Sequence, residues 1–258
     1  MGLAGGFRPH PRAIIFDLDR CLIDSRNAWR YCIEEAIAAA AGRRIDAASL
    51  VDEYHIRPWR DALGILADSP EEERRLAGLC ETMFERSAMK KLLVHDGIGM
   101  ALDALRGERI ELGAISRLPH NVALKQVQST GLDRFIAVLS ATRQGERWHP
   151  AERLEACLSF LEAKAFDTAA VSGDRADLAE MARLGAVPFT ARWAPGHDEN
   201  GEAIASPSGM LVAVLRAWAG RGRCWPGAPP DAQSWVSVRE QVRPVGGSQG
   251  SRSSPGRW

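Results

Sequence analysis

The stretch Ala13-Ile14-Ile15-Phe16-Asp17-Leu18-Asp19 decides the fold of this chain. Its apolar first part shows no polar alternation and contains β-branched residues, which is typical of a strand buried on both faces. Two carboxylates, Asp17 and Asp19, then follow one residue apart. Ligands of open parallel sheets bind at the carboxyl ends of the strands. The pair therefore has two interpretations. In the first it is a catalytic site, in which one acid is a nucleophile or metal ligand and the other is a proton donor. In the second, an acid here only caps the next helix.

The composition is that of an ordinary globular protein. The 258 residues are 45% hydrophobic and 26% charged, which suits one large domain or a core with an inserted second domain. Lys+Arg and Asp+Glu both number 33, so the net charge does not favour a nucleic acid or a membrane as partner. Five scattered cysteines, no signal-like N-terminus and no apolar run near the ~20 residues that span a bilayer favour a cytoplasmic protein.

The segment from residue 26 to residue 90 has a helical pattern throughout. Apolar residues within 26–41 share one face of a helix. Ser69 and Pro70 then begin another helix, as its N-cap and its first residue. A purely helical segment between two strand-bearing regions is typical of an inserted domain.

Strand and helix patterns alternate after this segment. Strands are predicted at 110–115, 135–139, 168–171 and 187–191, and helices at 97–106, 119–129, from Pro150, at 177–184 and at 208–218. Such alternation favours a parallel sheet that is covered by helices on both faces.

We therefore predict an α/β fold with a Rossmann-like three-layer core and an inserted all-helical cap domain. The core comprises residues 12–25 and 91–219, and the cap comprises residues 26–90. Residues 1–11 are interpreted as a flexible leader. The basic segment 220–258, rich in Gly, Pro, Ser and Arg, is interpreted as a disordered tail that is either simply solvated or in contact with nucleic acid or another acidic partner.

Four motifs follow one another in a recognisable order. Residues 14–25 resemble a DxDGT motif followed by L-x-D-S. Residues 114–116 resemble a second motif, in which a Ser or Thr stands at the end of a strand, here Ser116. Residues 147–150 resemble a Lys-Pro-x-Pro motif, and residues 171–177 resemble an acidic GD…D pattern. Together, in this order and with a helical insertion, they resemble the haloacid dehalogenase superfamily, in particular its phosphoglycolate-phosphatase-like hydrolases with a helical cap. The resemblance covers residues 12–218.

The resemblance implies a Mg²⁺-dependent phosphatase acting on a small phosphorylated metabolite. Asp17 would attack phosphorus and form an aspartyl-phosphate, while Asp19 would protonate the leaving oxygen and then activate water. Ser116 would hydrogen-bond the phosphoryl oxygens, with Arg117 as a further contact. Arg147 would stand in for the lysine of the family and balance the clustered negative charge.

The resemblance also implies the metal ligands. Mg²⁺ would be held by the Asp17 carboxylate, the backbone carbonyl of Asp19 and the Asp174 carboxylate. Asp177 is a further candidate ligand, although with Glu180 it equally suits the N-terminus of a helix.

The sequence departs from the family pattern beside the acid pair. Arg20 stands where the family usually has Gly, and it either points to solvent or lies near Asp19 and lowers the pKa of that carboxyl group. Arg117 stands where the family often has Asn, and it either contacts phosphate or is exposed. These departures motivate an alternative, a protein of this fold with lost or altered catalysis that acts in binding or regulation. A phosphomutase is a further alternative, because Asp19 would serve that reaction equally well.

Overall fold

The computed structural model describes residues 10–52, 59–143, 146–195 and 202–221. The predicted leader and the predicted basic tail lie outside these ranges, apart from His10 and Pro11 at the end of the one and residues 220 and 221 at the start of the other.

The described strands form one large sheet and one small one. In chain order they are β1 Ala13–Asp17, β2 Ile23–Asp24, β3 Leu93–Val94, β4 Glu111–Pro119, β5 Val138–Thr142, β6 Thr168–Ser172, β7 Val187–Ala191 and β8 Ala203–Ile204. Six of them make a sheet in the order β5-β4-β1-β6-β7-β8, and every pairing in it is parallel. The predicted parallel sheet is thus confirmed.

Helices cover both faces of this sheet. They are α1 Arg26–Ala41, α2 Ala48–Asp52, α3 Trp59–Leu66, α4 Pro70–Arg86, α5 Ile98–Gly107, α6 His120–Ser129, α7 Pro150–Phe160, α8 Arg175–Arg183 and α9 Met210–Arg221. Short 3₁₀ turns and one π-helical turn, Leu18–Leu22, connect some of the elements. No helix in the described ranges has the combination of length and apolarity that crossing a membrane requires.

Strand β1 lies at the centre of the sheet, between β4 and β6. Its side chains alternate between the two faces. Ile14 and Phe16 belong to the larger apolar cluster, whereas Ile15 belongs to the smaller one under α7 and α8. All three are fully buried, and each such side chain stabilises the fold by about 1.5–3 kcal/mol. This burial explains the continuous apolar run that precedes Asp17.

A glycine on β4 allows the close packing around Ile15. A Cβ at Gly113 would lie 2.7 Å from Cδ1 of Ile15 and 2.8 Å from Cγ1 of Val138. Both distances are shorter than real Cβ contacts. The absence of a side chain here lets β4 sit between β1 and β5 with their branched side chains in place.

Strand β4 ends at Pro119 rather than at 115, and α9 is Met210–Arg221 rather than 208–218. Two further predicted boundaries were wrong for reasons that the local structure shows. Strand β5 begins at Val138 rather than at 135, because Leu132–Arg134 form a 3₁₀ turn that Phe135 ends. Helix α8 begins at Arg175 rather than at 177, because Asp174 is its N-cap and accepts hydrogen bonds from the N–H groups of residues 176 and 177. The apolar pattern does not reveal this first turn, which contains Arg175 and Asp177.

Helices α1 to α4 lie in the chain between β2 and β3, which pair with each other in antiparallel fashion. Ile23 pairs with Val94, and Asp24 pairs with Leu93. Trp29 of α1 stacks on Phe84 of α4 with ring centroids 4.1 Å apart, so the helices have an apolar contact of their own. The assignment of 26–90 as a cap domain stays a prediction.

Candidate active site

The acid pair lies at the carboxyl end of the central strand. Asp17 is the last residue of β1, and Asp19 lies in the π-helical turn that follows. Their exposed fractions are only 2% and 9%, because β1 is flanked by strands on both sides. Oδ1 of Asp17 accepts a hydrogen bond from the Asp19 N–H at 3.2 Å, and its Oδ2 accepts one from the Ser172 hydroxyl at 3.0 Å. These bonds fix the Asp17 carboxyl group.

Asp19 is held by the end of the neighbouring strand. Its Oδ2 accepts hydrogen bonds from the Ser116 hydroxyl at 2.8 Å and from the Arg117 N–H at 3.0 Å. Its Oδ1 is buried but has no hydrogen-bond partner among the described residues. One oxygen of the carboxyl group is therefore fixed, and the other is available to carry a proton or to accept a hydrogen bond.

The two carboxyl groups differ from ordinary aspartates in their pKa. Burial raises the pKa of Asp17 to about 7, and repulsion from Asp19 adds to the rise, whereas Arg20 and Arg117 oppose it. Burial also raises the pKa of Asp19, although the hydrogen bonds from Ser116 and Arg117 and the nearby guanidinium charges lower it. The expected lowering of the Asp19 pKa by Arg20 is thus present but outweighed by burial. A raised pKa suits a proton donor.

The two acids of the fourth motif do not share one role. Asp174 caps α8 through Oδ1, which accepts from the N–H groups of Ala176 at 2.9 Å and of Asp177 at 3.3 Å. Asp177 lies in the first turn, is 4% exposed, and points toward β4 and the loop before α7. The interpretation of Asp177 as the helix cap was therefore wrong, since Asp174 occupies that position.

Arg117 binds both of these acids. One of its terminal nitrogens, Nη2, lies 2.9 Å from Oδ2 of Asp174 and 2.6 Å from Oδ2 of Asp177. Its guanidinium also lies over the Trp148 ring, 5.0 Å from the centroid, and Trp148 Nε1 donates to Oδ1 of Asp177 at 3.0 Å. The Arg117 carbonyl accepts from the Thr142 hydroxyl at 2.7 Å. Arg117 is thus fixed by its backbone and by its side chain.

The remaining departure, Arg20, also faces the site rather than only solvent. Its Nη1 lies 3.5 Å from Oδ2 of Asp174, and its side chain is 19% exposed. His95 Nε2 donates to the Arg20 carbonyl at 3.1 Å and so helps to hold the π-helical turn. Two guanidinium groups therefore converge on the same oxygen of Asp174.

The structure brings together six of the seven predicted site residues at the carboxyl ends of β1, β4 and β6, namely Asp17, Asp19, Ser116, Arg117, Asp174 and Asp177. Arg147 is different, because it is exposed and no hydrogen bond or ion pair joins it to another described residue. Its neighbour Trp148 contacts the cluster instead. Sequence reasoning missed Trp148 and Ser172. The strand-end position of Ser172 was a usable signal, whereas the orientation of a loop tryptophan was not.

The donor chemistry of the cluster fits Mg²⁺. The candidate ligands are the carboxylates of Asp17 and Asp174 and the backbone carbonyl of Asp19, all of them oxygen atoms of the kind that this hard cation prefers. The partnerless Oδ1 of Asp19 also marks the cluster as incomplete by itself. The described part of the chain contains no group of three His, Cys, Asp or Glu side chains arranged to hold a metal ion. The candidate set does not require them, because one of its three ligands is a carbonyl.

Two neighbouring pockets, together called the groove below, lie between the acid pair and the start of α1. One pocket is lined by Asp19, Arg20, Asp24 and Arg26, among others, and a second by Asp24, Arg26 and Arg30 with parts of α2. The two pockets share Asp24 and Arg26 and are therefore neighbours. The second has a volume of about 160 Å³.

These features define an α/β protein with a buried acid pair at the switch between strands of a parallel sheet. A family model described as haloacid dehalogenase-like hydrolase matches residues 14–185, and the chain belongs to this family. The resemblance found in the four motifs is thereby confirmed. A search of curated protein sequences found no match.

Solved structures with the same fold include three that are described by an enzyme activity. A protein assigned as a phosphatase from Clostridium difficile is 14% identical, with a TM-score of 0.73 over 80% of this chain and 99% of the other. One assigned as a phosphoglycolate phosphatase from Lactobacillus plantarum is 17% identical, with a TM-score of 0.64 over 79% and 99%. One assigned as a β-phosphoglucomutase from Thermotoga maritima is 18% identical, with a TM-score of 0.61 over 80% and 99%. At these identities the likeness establishes the fold alone.

Proposed function

We propose that this protein is a Mg²⁺-dependent phosphatase that hydrolyses a small phosphate monoester through an aspartyl-phosphate on Asp17. The observation that supports the proposal most directly is the state of Asp19. Its carboxyl group is buried beside Asp17, burial raises its pKa, and its Oδ1 has no partner among the described residues. A proton donor for a leaving oxygen needs these properties.

Both steps use the acid pair. In the first, a carboxylate oxygen of Asp17 attacks phosphorus, the bond from phosphorus to the ester oxygen breaks, and Asp19 gives its proton to that oxygen, which leaves as an alcohol. In the second, Asp19 takes a proton from water, the water oxygen attacks phosphorus, and phosphate leaves while the Asp17 carboxylate is restored. Ser172 orients Asp17, and Ser116 orients Asp19, through the hydrogen bonds described above.

The proposed metal ligands are the Asp17 carboxylate, the Asp19 carbonyl and the Asp174 carboxylate. A bound Mg²⁺ supplies positive charge that offsets the repulsion between the phosphate group and the carboxylates. Ser116 and Arg117 are proposed to contact the phosphoryl oxygens, and Arg147 is proposed to balance charge. Arg147 is the least supported of these, so Arg147→Ala with Arg143→Ala as an exposed control is a direct test of its contribution to kcat/KM.

The groove toward α1 supports a small substrate whose leaving group extends from Asp19 toward Asp24 and Arg26. We propose that residues 26–90 act as the cap over this groove. The second pocket, with a volume of about 160 Å³, suits a leaving group of a few heavy atoms rather than a polymer.

The test is hydrolysis of p-nitrophenyl phosphate and of a panel of phosphate monoesters, with Mg²⁺ and with EDTA. Asp17→Asn should abolish turnover, because an amide does not form the acyl phosphate. Asp103→Asn removes an exposed acid on α5 and should leave the rate unchanged. Folded wild-type protein without turnover on the whole panel would contradict the proposal.

A second candidate is a protein of this family with altered catalysis that acts by binding. The observation that favours it is the pairing of Asp174 with two guanidinium groups. Tight binding of Mg²⁺ together with beryllofluoride, a mimic of the aspartyl-phosphate, would count against this candidate. Product analysis separates the phosphatase from a phosphomutase, which would yield an isomeric phosphate ester instead of inorganic phosphate.

A further inference from the structure

Asp174 has one oxygen for the helix and one for a cation. Its Oδ1 accepts the two N–H groups that begin α8. Its Oδ2 faces Nη2 of Arg117 at 2.9 Å and Nη1 of Arg20 at 3.5 Å. A metal ion that uses Asp174 as a ligand must therefore approach the oxygen that the guanidinium groups already bind.

We propose that Arg117 and Mg²⁺ are alternative partners of Asp174, so that Arg117 sets how tightly the site binds the metal. This inference rests on the proposed function, in which Asp174 is a metal ligand. A divalent ion and a guanidinium repel each other, and this repulsion is strong in a partly buried site. Binding of Mg²⁺ then requires Arg117 to leave Asp174.

The surroundings give Arg117 a second acidic partner. Asp177 binds the same guanidinium through its own Oδ2 at 2.6 Å, and the Trp148 ring lies beneath it. Asp177 is in turn fixed by the Trp148 indole N–H. When Mg²⁺ takes Asp174, Arg117 remains paired with Asp177, so its charge stays in the site without occupying the metal ligand.

The first measurement is a calorimetric titration of the full chain with MgCl₂ alone. Arg117→Gln should bind Mg²⁺ roughly tenfold or more tightly than wild type, because the competing charge is gone. Arg117→Lys keeps the charge but not the planar fork, and it should fall between the two. Arg183→Gln removes one charge from an exposed position in the last turn of α8, and it should leave the affinity unchanged.

The second measurement uses wild-type protein and does not depend on the folding of a variant. The indole N–H resonance of Trp148, assigned by its absence in Trp148→Phe, should shift as Mg²⁺ is added, because the guanidinium above the ring moves. Wild type that binds no Mg²⁺ is consistent with the inference only if Arg117→Gln does bind it.

Three results would overturn the inference. They are an Mg²⁺ affinity of folded Arg117→Gln equal to or below that of wild type, Mg²⁺ binding to wild type without any shift of the Trp148 resonance, and an absence of Mg²⁺ binding in wild type and Arg117→Gln alike. Failure of the proposed function is a different outcome. Affinity that depends on Arg117 without phosphatase turnover would refute the phosphatase alone, and turnover with an affinity indifferent to Arg117 would refute this inference alone.

Discussion

The indole Nε1 of Trp148 donates a 3.0 Å hydrogen bond to Oδ1 of Asp177, and this bond joins the loop before α7 to the first turn of α8. Asp177 is almost completely buried, so its carboxylate depends on Trp148 and Arg117 for compensation. The loop residue is thereby part of the charge balance of the site. Arg147, which precedes Trp148 in the chain, is the residue that the sequence predicts to balance the negative charge. No hydrogen bond or ion pair connects it to the other described site residues.

Trp148→Phe should destabilise the fold by about 1–3 kcal/mol, because it removes a hydrogen bond to a buried charge while keeping an aromatic ring under Arg117. Urea unfolding measures the change. A double-mutant cycle with Asp177→Ala is the control, since Trp148→Phe should cost much less once its acceptor is absent. Fully additive effects of the two substitutions would contradict the prediction.

Asp17→Asn should stabilise the metal-free protein more at pH 8 than at pH 5. The folded protein raises the pKa of Asp17 from 3.8 to about 7, so the native state binds this proton more tightly than the unfolded chain. The contribution of Asp17 to stability therefore falls as the pH rises from about 4 to about 7. Asparagine does not titrate, so the gain at pH 8 should be about 2–4 kcal/mol. Thermal unfolding in EDTA at the two pH values is the measurement, and an equal gain at both would refute the explanation.

His95 should make the fold less stable below pH 6.5. Burial lowers the pKa of His95, so the unfolded chain binds its proton more readily than the native protein does. Its contribution is present above the unfolded pKa of about 6.5 and is lost as the pH falls through the folded pKa. His95→Gln should flatten the pH dependence of stability in this window. His120→Gln, at an exposed position on α6, is the control and should not change the slope.

Gly173→Ala should destabilise the protein by about 1–3 kcal/mol. A Cβ at this position would lie 2.6 Å from Cβ of Ala194, so the segment around Ala194 would have to move. This segment contacts the π-helical turn that carries Asp19. Trp193 of that segment donates to the Cys21 carbonyl at 2.8 Å. Gly78→Ala is a matched control in the exposed interior of α4, where an added Cβ meets nothing and should instead stabilise by about 0.5–1 kcal/mol. Equal effects of the two substitutions would contradict the packing argument.

Much of the fold was predictable because its signals are local. Each of three signals depends on a few adjacent residues. The apolar run before Asp17 predicted β1, Ser69 predicted the start of α4, and the alternating patterns after residue 91 predicted β4 to β7 and α5 to α9. The start of α8 was missed because capping by Asp174 depends on backbone geometry that apolar periodicity does not record. The phenylalanine at 135 imitates a strand residue although it only ends a 3₁₀ turn.

The site was predictable as a set of residues but not as a set of contacts. The strand ends that carry Asp17, Ser116 and Asp174 meet because parallel strands align their carboxyl ends. The direction of a long side chain is settled by tertiary packing. Arg117 was therefore left open between phosphate and solvent, whereas its guanidinium binds two acids and lies over Trp148.

The central position of β1 has a consequence for synthesis of the protein on the ribosome. This strand is made before both of its partners, and Gly113 of β4, which pairs with Ile15, is made roughly 100 residues later. At ~5–20 residues per second, the apolar strand waits about 5–20 s without a neighbour. Its second partner, β6, arrives later still. Helices α1 to α4 are made in this interval, before either partner strand.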